Sequence, residues 1–224
     1  MLPDAAHRHA VQVLRLKKGD ALRLFDGLGL EFDAVLETVS KRESAVRLLS
    51  KVAVNNESPL AITLLQGISR GERMDYALQK AVELGVTRII PVATERCNVQ
   101  LSGGRDEKRW AHWQGIVISA CEQSGRGVLP ELSTVMPLKD SLVASNQGCR
   151  LVLDPLAEKG FTAIEKQENI TLLIGPEGGL SEAEIEQAQD AGFQPVCFGP
   201  RILRTETATV AALAVVQTLW GDLG

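Results

Sequence analysis

The chain has 224 residues, 45% hydrophobic and 23% charged, and its 24 basic and 28 acidic groups give a formal net charge of −4. That length holds one large domain or two small ones around a substantial core, and 20 Gly, 9 Pro and 4% aromatics exclude a low-complexity scaffold or a disordered tail. The acidic balance argues against a protein that coats nucleic acid, yet residues 1–60 carry 9 basic and 8 acidic groups (+1), residues 61–130 carry 9 and 7 (+2), and residues 131–224 carry 6 and 13 (−7), an asymmetry that permits a basic face.

Asp4 to Leu16 is predicted as a short helix, with Asp4 as N-cap and Ala6, Ala10, Val13 and Leu14 along one stripe. His7 and His9 read as surface residues of that helix. Lys17-Lys18-Gly19-Asp20 is a turn, followed by strands Ala21–Phe25, Leu30–Val39 and Ser44–Val54, separated by Asp26-Gly27 and Lys41-Arg42. Short strands with tight turns indicate a small β-barrel or sheet. Asn55 to Pro59 is polar and aperiodic and reads as a linker, which places one domain at residues 1–56 and a second at 60–224.

From Leu60 strands and helices alternate. Strands are predicted at Ala61–Ile68, Thr87–Val92, Arg150–Leu153, Ile170–Ile174 and Pro195–Phe198, and helices at Glu72–Leu84, about Arg105 to Gln123, Glu182–Ala191 and Glu206–Trp220. This is the pattern of a parallel sheet covered by helices. The four cysteines, Cys97, Cys121, Cys149 and Cys197, are dispersed and have no histidine at ligand spacing, so they read as free thiols in a reducing compartment, with no metal site. No run approaches the roughly 20 apolar residues that span a bilayer, and the N-terminus lacks a signal pattern, so a cytoplasmic location away from membranes is expected.

In parallel α/β sheets ligands bind beyond the carboxyl ends of strands, and two strand-to-helix turns stand out there. The first is Ile174-Gly175-Pro176-Glu177-Gly178-Gly179-Leu180-Ser181. Ser181 with Glu184 makes a capping box, and Leu180 with Ile185 a hydrophobic staple. The glycines let a ligand approach the backbone, although a tight turn that merely needs glycine would read the same way. The loop lacks the Gly-Lys-Ser/Thr of a phosphate loop and the G-x-G-x-x-G spacing of dinucleotide sites. Glu177 would repel phosphate, so a ligand carrying hydroxyls or positive charge fits better.

The second turn is Phe198-Gly199-Pro200-Arg201-Ile202-Leu203-Arg204-Thr205-Glu206-Thr207-Ala208, which leads into a nearly uncharged and therefore buried helix. Packing does not explain an arginine and a glutamate at that entrance; either Arg204 and Glu206 pair to cap the helix or they serve a site.

These two turns resemble those of the SPOUT superfamily of S-adenosylmethionine-dependent RNA methyltransferases, and most closely its RsmE branch, which methylates N3 of a uridine in 16S ribosomal RNA. Ser69-Arg70-Gly71-Glu72-Arg73-Met74-Asp75, Gln79 to Gly85, Glu95-Arg96-Cys97 and Ala120-Cys121-Glu122-Gln123-Ser124-Gly125-Arg126 agree, and the resemblance runs from about Pro3 to Gly224. It implies a PUA-like β-barrel followed by an α/β domain with a C-terminal trefoil knot, a homodimer, and 16S rRNA in the 30S subunit as partner. Connection rules argue against threaded chains, so the knot is implied by the resemblance alone. Relatives begin with an additional Arg-containing barrel strand where Met1-Leu2 stands here, and a barrel lacking its first strand is expected.

The resemblance also implies roles. Leu153, Asp154 and Pro155, then Ile174 to Gly179, then Phe198, Gly199, Ile202, Leu203, Thr207 and Ala208 would hold S-adenosylmethionine. Arg204 would stabilise negative charge on uracil or the RNA backbone, and Glu206 and Glu122 are candidate bases. Arg8, Arg15, Lys17, Lys18, Arg23, Arg70, Arg73 and Arg126 are candidate RNA contacts, each also explicable as a solvated surface charge. Two other classes compete: a non-catalytic RNA-binding or ribosome-assembly factor with a vestigial pocket, and an α/β enzyme using another nucleotide, which the missing phosphate-loop residues disfavour.

Overall fold

A computed structural model describes residues 1–53, 56–97 and 104–224. Val54 and Asn55, the predicted end of the third strand and start of the linker, lie outside the described residues. The chain divides into two compact units, Met1–Asn56 with Arg126–Val128, and Glu57–Gly125 with Leu129–Gly224.

The first unit opens with helix α1 (Asp4–Arg8), which widens into a π-helical turn over His9–Val13. The helix is thus shorter than predicted, and Arg15 leaves it with φ 56°. His7 is buried, contrary to its surface reading, because its Nδ1 lies 2.9 Å from Ser44 Oγ. Strands β1 (Ala21–Phe25), β2 (Glu31–Val39) and β3 (Ser44–Val52) form an antiparallel sheet in the order β1-β2-β3. Ala34 and Leu36, two apart on β2, share the buried face, and the register shifts on either side of them, between Asp33 and Ala34 and between Leu36 and Thr38, break the alternation there. A barrel was expected; the described strands make a three-stranded sheet, beside which Gly27 and Leu28 bridge to Val128 and the Gly29 amide donates to the Gly127 carbonyl at 3.1 Å.

The second unit is built on a parallel sheet. Its strands are β4 (Ala61–Gly67), β5 (Arg88–Ala93), β6 (Glu131–Leu132), β7 (Met136–Pro137), β8 (Cys149–Leu153), β9 (Asn169–Ile174) and β10 (Gln194–Val196). Their order is β10-β8-β9-β4-β5-β6, with β7 also on β5, and every pairing is parallel. Strands covered on both faces need apolar residues throughout, and Ile62, Leu64, Leu65, Ile89, Ile90, Leu151, Val152, Leu172 and Leu173 are all fully buried.

The covering helices are α2 (Glu72–Glu83), α3 (Gly104–Ser124), α4 (Leu138–Ala144), α5 (Glu182–Asp190) and α6 (Thr205–Trp220). Met74, Ala77, Leu78, Ala81 and Val82 form the buried stripe of α2, at the spacing of one helix face. On α6 the buried stripe runs from Ala208 and Thr209 to Trp220. Gln217 of α6 ties the far ends together, donating from Nε2 to the Leu84 carbonyl at 2.8 Å and accepting from Ser58 Oγ at 2.8 Å. Helix α4 and strands β6 and β7 were not predicted, being too short to show a period. Strand β10 ends at Val196 rather than Phe198, which leaves Cys197 and Phe198 to the following turn.

Candidate functional site

Because β10, β8 and β9 are parallel neighbours, the turns that leave their carboxyl ends emerge side by side. Residues 153–156, 174–180, 196–199 and 201–203 thereby line a cavity of about 680 Å³, within the range of small-molecule sites. Each wall is fixed from behind. Asp154 turns its carboxylate back to accept from the Leu156 amide at 2.9 Å. Phe161 stacks on Phe198 with ring centroids 4.8 Å apart.

The glycine loop is held most fully. Ser181 Oγ accepts from the Glu184 amide at 3.3 Å while Glu184 Oε2 accepts from the Ser181 amide at 2.9 Å, completing the capping box. Glu184 is buried, and its other oxygen accepts from the Glu95 amide at 2.8 Å, which binds the exit of β5 to the loop. Leu180 and Ile185 pack on one core cluster, as the staple requires. Arg96 donates to the carbonyls of Gly178 and Leu180, both at 3.2 Å. A Cβ on Gly67 would lie 2.5 Å from the Pro176 nitrogen, so the end of β4 has to be glycine for the loop to pack there.

Glu177 also belongs to this internal bracing. Its Oε1 accepts from the Arg70 amide at 2.9 Å and from Arg73 Nη1 at 3.1 Å. Burial pushes this carboxyl up, but the Arg70 amide, its own amide and the Arg73 guanidinium outweigh burial and hold it below the ordinary carboxylate range. Its Oε2 is buried with no hydrogen-bond partner.

Helix α6 begins against this loop. Thr205 Oγ1 donates to the Gly175 carbonyl at 2.7 Å and accepts from Gln66 Nε2 at 3.2 Å. Thr209 Oγ1 lies 2.7 Å from Gln66 Oε1 and 2.9 Å from the Thr205 carbonyl. Gln66, Thr205 and Thr209 are buried, so this network fixes the entrance of α6 relative to β4 and the loop. Arg204, at the N-cap, makes no side-chain cap bond and is exposed. Among the described residues Arg204 and Glu206 form no ion pair, which disposes of the cap-pair reading; Glu206 Oε2 is buried without a partner.

The RNA methyltransferase domain family matches residues 56–217, and the RNA methyltransferase PUA domain family matches residues 2–49. A ribosomal RNA small subunit methyltransferase E of Buchnera aphidicola is 40% identical over 218 residues, covering 95% of this chain and 87% of the relative. The chain belongs to this family of RNA methyltransferases. Among solved structures, a putative methyltransferase of Legionella pneumophila in complex with S-adenosylmethionine superimposes with a TM-score of 0.96 at 43% identity, covering 99% of this chain and 92% of that one. A ribosomal RNA small subunit methyltransferase E from Neisseria gonorrhoeae, bound to S-adenosylmethionine, gives 0.92 at 45% identity over 100% and 92%.

The cavity is lined by fourteen of the fifteen residues expected from the sequence to hold the cofactor: Leu153, Asp154, Pro155, Ile174 to Gly179, Phe198, Gly199, Ile202, Leu203 and Ala208. Thr207 is exposed and outside the lining. Arg204 and Glu206 are likewise outside it, although Leu203 and Thr205 beside them are in it. Glu122 sits on an exposed position of α3, away from the lining.

Gly178 has a packing constraint as well as a place in the lining. A Cβ there would lie 2.9 Å from Arg96 Cβ, whereas at Gly179, with φ +69°, nothing lies within 4 Å. Arg96 and Thr205 line the cavity and were missed by sequence reasoning. The Glu95-Arg96-Cys97 motif was a signal for Arg96; Thr205 gave none beyond its place between Arg204 and Glu206.

Of the candidate RNA contacts, Arg8, Arg15, Lys17, Lys18 and Arg70 are exposed. Arg23 is ion-paired to Asp33 at 3.2 Å and lies 4.0 Å from Glu31, and Arg73 is paired to Glu177. Arg126 is buried, unlike the other candidates. Among the described residues no cluster of His, Cys, Asp or Glu could hold a metal, and no helix is long and apolar enough to cross a membrane.

Proposed function

We propose that the protein is an S-adenosylmethionine-dependent methyltransferase of small-subunit ribosomal RNA, acting on N3 of one uridine in 16S rRNA. The observation that carries this reading is the three-turn cavity with an exposed arginine and a half-buried glutamate at the mouth of α6. The cavity residues fit the cofactor: backbone groups of the glycine loop are open beside Gly179, and a carboxylate oxygen of Glu177 is buried without a partner. When bound, S-adenosylmethionine supplies an electrophilic methyl group.

The rest falls to the chain. Uracil N3 carries a proton and has to lose it before its lone pair can attack. Glu206, whose Oε2 has no partner, or Glu122 would accept that proton. Arg204, exposed and free of a cap bond, would stabilise the resulting uracil anion or grip the adjoining phosphate. Thr207 would approach the cofactor from the first turn of α6. Arg8, Arg15, Lys17, Lys18 and Arg70 would hold RNA phosphates, with Arg23 and Arg73 contributing less because acids already pair them.

The same reading includes a PUA-like RNA-binding domain over residues 1–56, a catalytic domain over 60–224 whose C-terminal turns are knotted, a homodimer and a cytoplasmic location. Tyr76 on α2 and Leu219 on α6 are exposed apolar side chains on helices that pack together, which supports a dimer face there. Incubating 30S particles with the enzyme and methyl-labelled cofactor, followed by mass spectrometry of the 16S RNA, should show one labelled uridine. Absence of label would leave the non-catalytic RNA-binding alternative in its place.

A further inference from the structure

The charges that line the cavity are unequal. Asp154, Glu177, Glu182 and Glu186 face Arg96 and Arg201, four acids against two bases. Arg96 spends its guanidinium on the carbonyls of Gly178 and Leu180. Asp154 is turned toward the Leu156 amide, and Glu182 and Glu186 lie exposed on α5. Glu177 differs from the other three. It is fixed at Oε1 by two donors, and within the lining it is the carboxylate whose second oxygen is buried without a partner. A charge held there acts through a less screened medium than one on the surface.

We propose that these carboxylates, Glu177 foremost, make the cavity a reader of ligand charge that holds S-adenosylmethionine more tightly than the demethylated S-adenosylhomocysteine, so that methyl transfer itself loosens the spent cofactor. The inference rests on the reading of the cavity as a cofactor site. On transfer the S–CH3 bond breaks, its electron pair stays on sulfur, and the sulfonium becomes a neutral thioether, while the N3 lone pair forms the new bond. Cofactor and product therefore differ by one methyl group and one positive charge. Adenine, ribose, ammonium and carboxylate are common to both, and their contacts cancel in the ratio of affinities. A neutral cavity would favour the thioether, because a sulfonium is costlier to take out of water. A net acidic one reverses that preference.

Arg73 gives the idea a second handle. Its guanidinium sits 3.1 Å from Glu177 Oε1 and partly cancels the charge, while the Arg70 amide would keep the carboxylate in place without it. Removing the acid and removing its counter-charge should thus act in opposite directions, a pattern that simple damage to the loop does not produce.

The test is calorimetric titration of the whole protein with S-adenosylmethionine, S-adenosylhomocysteine and sinefungin, which carries an amine in place of the methylsulfonium. Glu177→Gln is expected to lower the cofactor-to-product affinity ratio about tenfold, chiefly by weakening S-adenosylmethionine, with sinefungin following it. Arg73→Met is expected to raise the ratio. Equal losses for all three ligands in Glu177→Gln, or a ratio unmoved in both variants, would overturn the proposal while leaving the cofactor site intact. Failure of the wild-type protein to bind any of the three would overturn the cofactor reading and this inference with it.

Discussion

The two turns that face each other across the cavity are built on opposite terms. In the glycine loop the polar side chains are committed inside the chain: Ser181 and Glu184 to each other, Glu184 also to Glu95, and Glu177 Oε1 to Arg70 and Arg73. At the entrance of α6, Thr205 is bonded inward, but Arg204 is exposed without a cap bond, Ile202 is 84% exposed, and Glu206 keeps a buried oxygen unpartnered. Leaving a buried oxygen unpartnered costs stability, and each turn keeps one, Glu177 Oε2 and Glu206 Oε2, but at the loop the acid's other oxygen is bonded within the chain whereas at the α6 entrance an exposed arginine stands beside it. On the proposed function the loop would be a preformed wall for the cofactor. On the same reading the α6 entrance would hold the groups that a reacting substrate satisfies.

The sharpest way to break this contrast is to remove a group from the uncommitted turn. Arg204→Ala should reduce methylation by about 100-fold or more, the usual loss when a charge-stabilising donor is deleted, while S-adenosylmethionine affinity measured by calorimetry stays within about threefold. Equal losses in both would place Arg204 in the cofactor wall instead.

Next in size is a strike at the committed wall. Gly178→Ala brings a Cβ to 2.9 Å from Arg96 Cβ, and the loop or Arg96 has to give way. Cofactor affinity is expected to fall about tenfold, on the scale of 1–3 kcal/mol that overpacking costs. Adding Arg96→Ala should recover part of that loss in a double-mutant cycle. Strict additivity of the two would show that the added methyl collides with the ligand and not with Arg96.

The glycine at 178 also shows where sequence reasoning stops. The capping box, the staple and the apolar parallel strands were legible because each is a local pattern: Ser181 and Glu184 are three residues apart, and the strands from Ile62 to Leu65 and from Ile170 to Leu173 are apolar runs of the length a strand needs. That Gly178 yields to Arg96, 82 positions earlier, is a fact of packing that no local pattern carries. The same holds for His7, buried beside Ser44, and for the burial of Arg126, which the sequence offers as a candidate RNA contact. Strand order is non-local too. The alternation of strands and helices announced a parallel sheet, but not that β10, β8 and β9 would be neighbours, the arrangement that gathers the three turns. Helix α4 escaped because seven residues span only two turns of helix.

A smaller effect is expected at the hinge between the two turns. Thr205→Val preserves shape but removes the donor to the Gly175 carbonyl and the acceptor for Gln66 Nε2. Stability should fall by about 1–3 kcal/mol, the cost of unpaired buried groups. If the network also positions α6, turnover should fall more than cofactor affinity. Denaturant midpoints give the first quantity, and kinetics beside calorimetry the second. A variant as stable as wild type would mean that these bonds follow the packing and do not hold it.

The smallest effect concerns Glu177 and pH. Its carboxyl is held below the ordinary range in the folded chain because the Arg70 amide and Arg73 together outweigh the burial that raises it. A group whose folded pKa is depressed lends stability that is present in full above its unfolded value and fades as pH falls through the lowered one. Wild type and Glu177→Gln should therefore differ most in stability at neutral pH and converge below about pH 4. A gap that stayed constant from neutral to acid pH would mean that Glu177 braces the loop by shape alone. Convergence would show that its ionised form does the bracing, and that the same charge stands ready in the cavity at the pH where a cationic ligand has to be recognised.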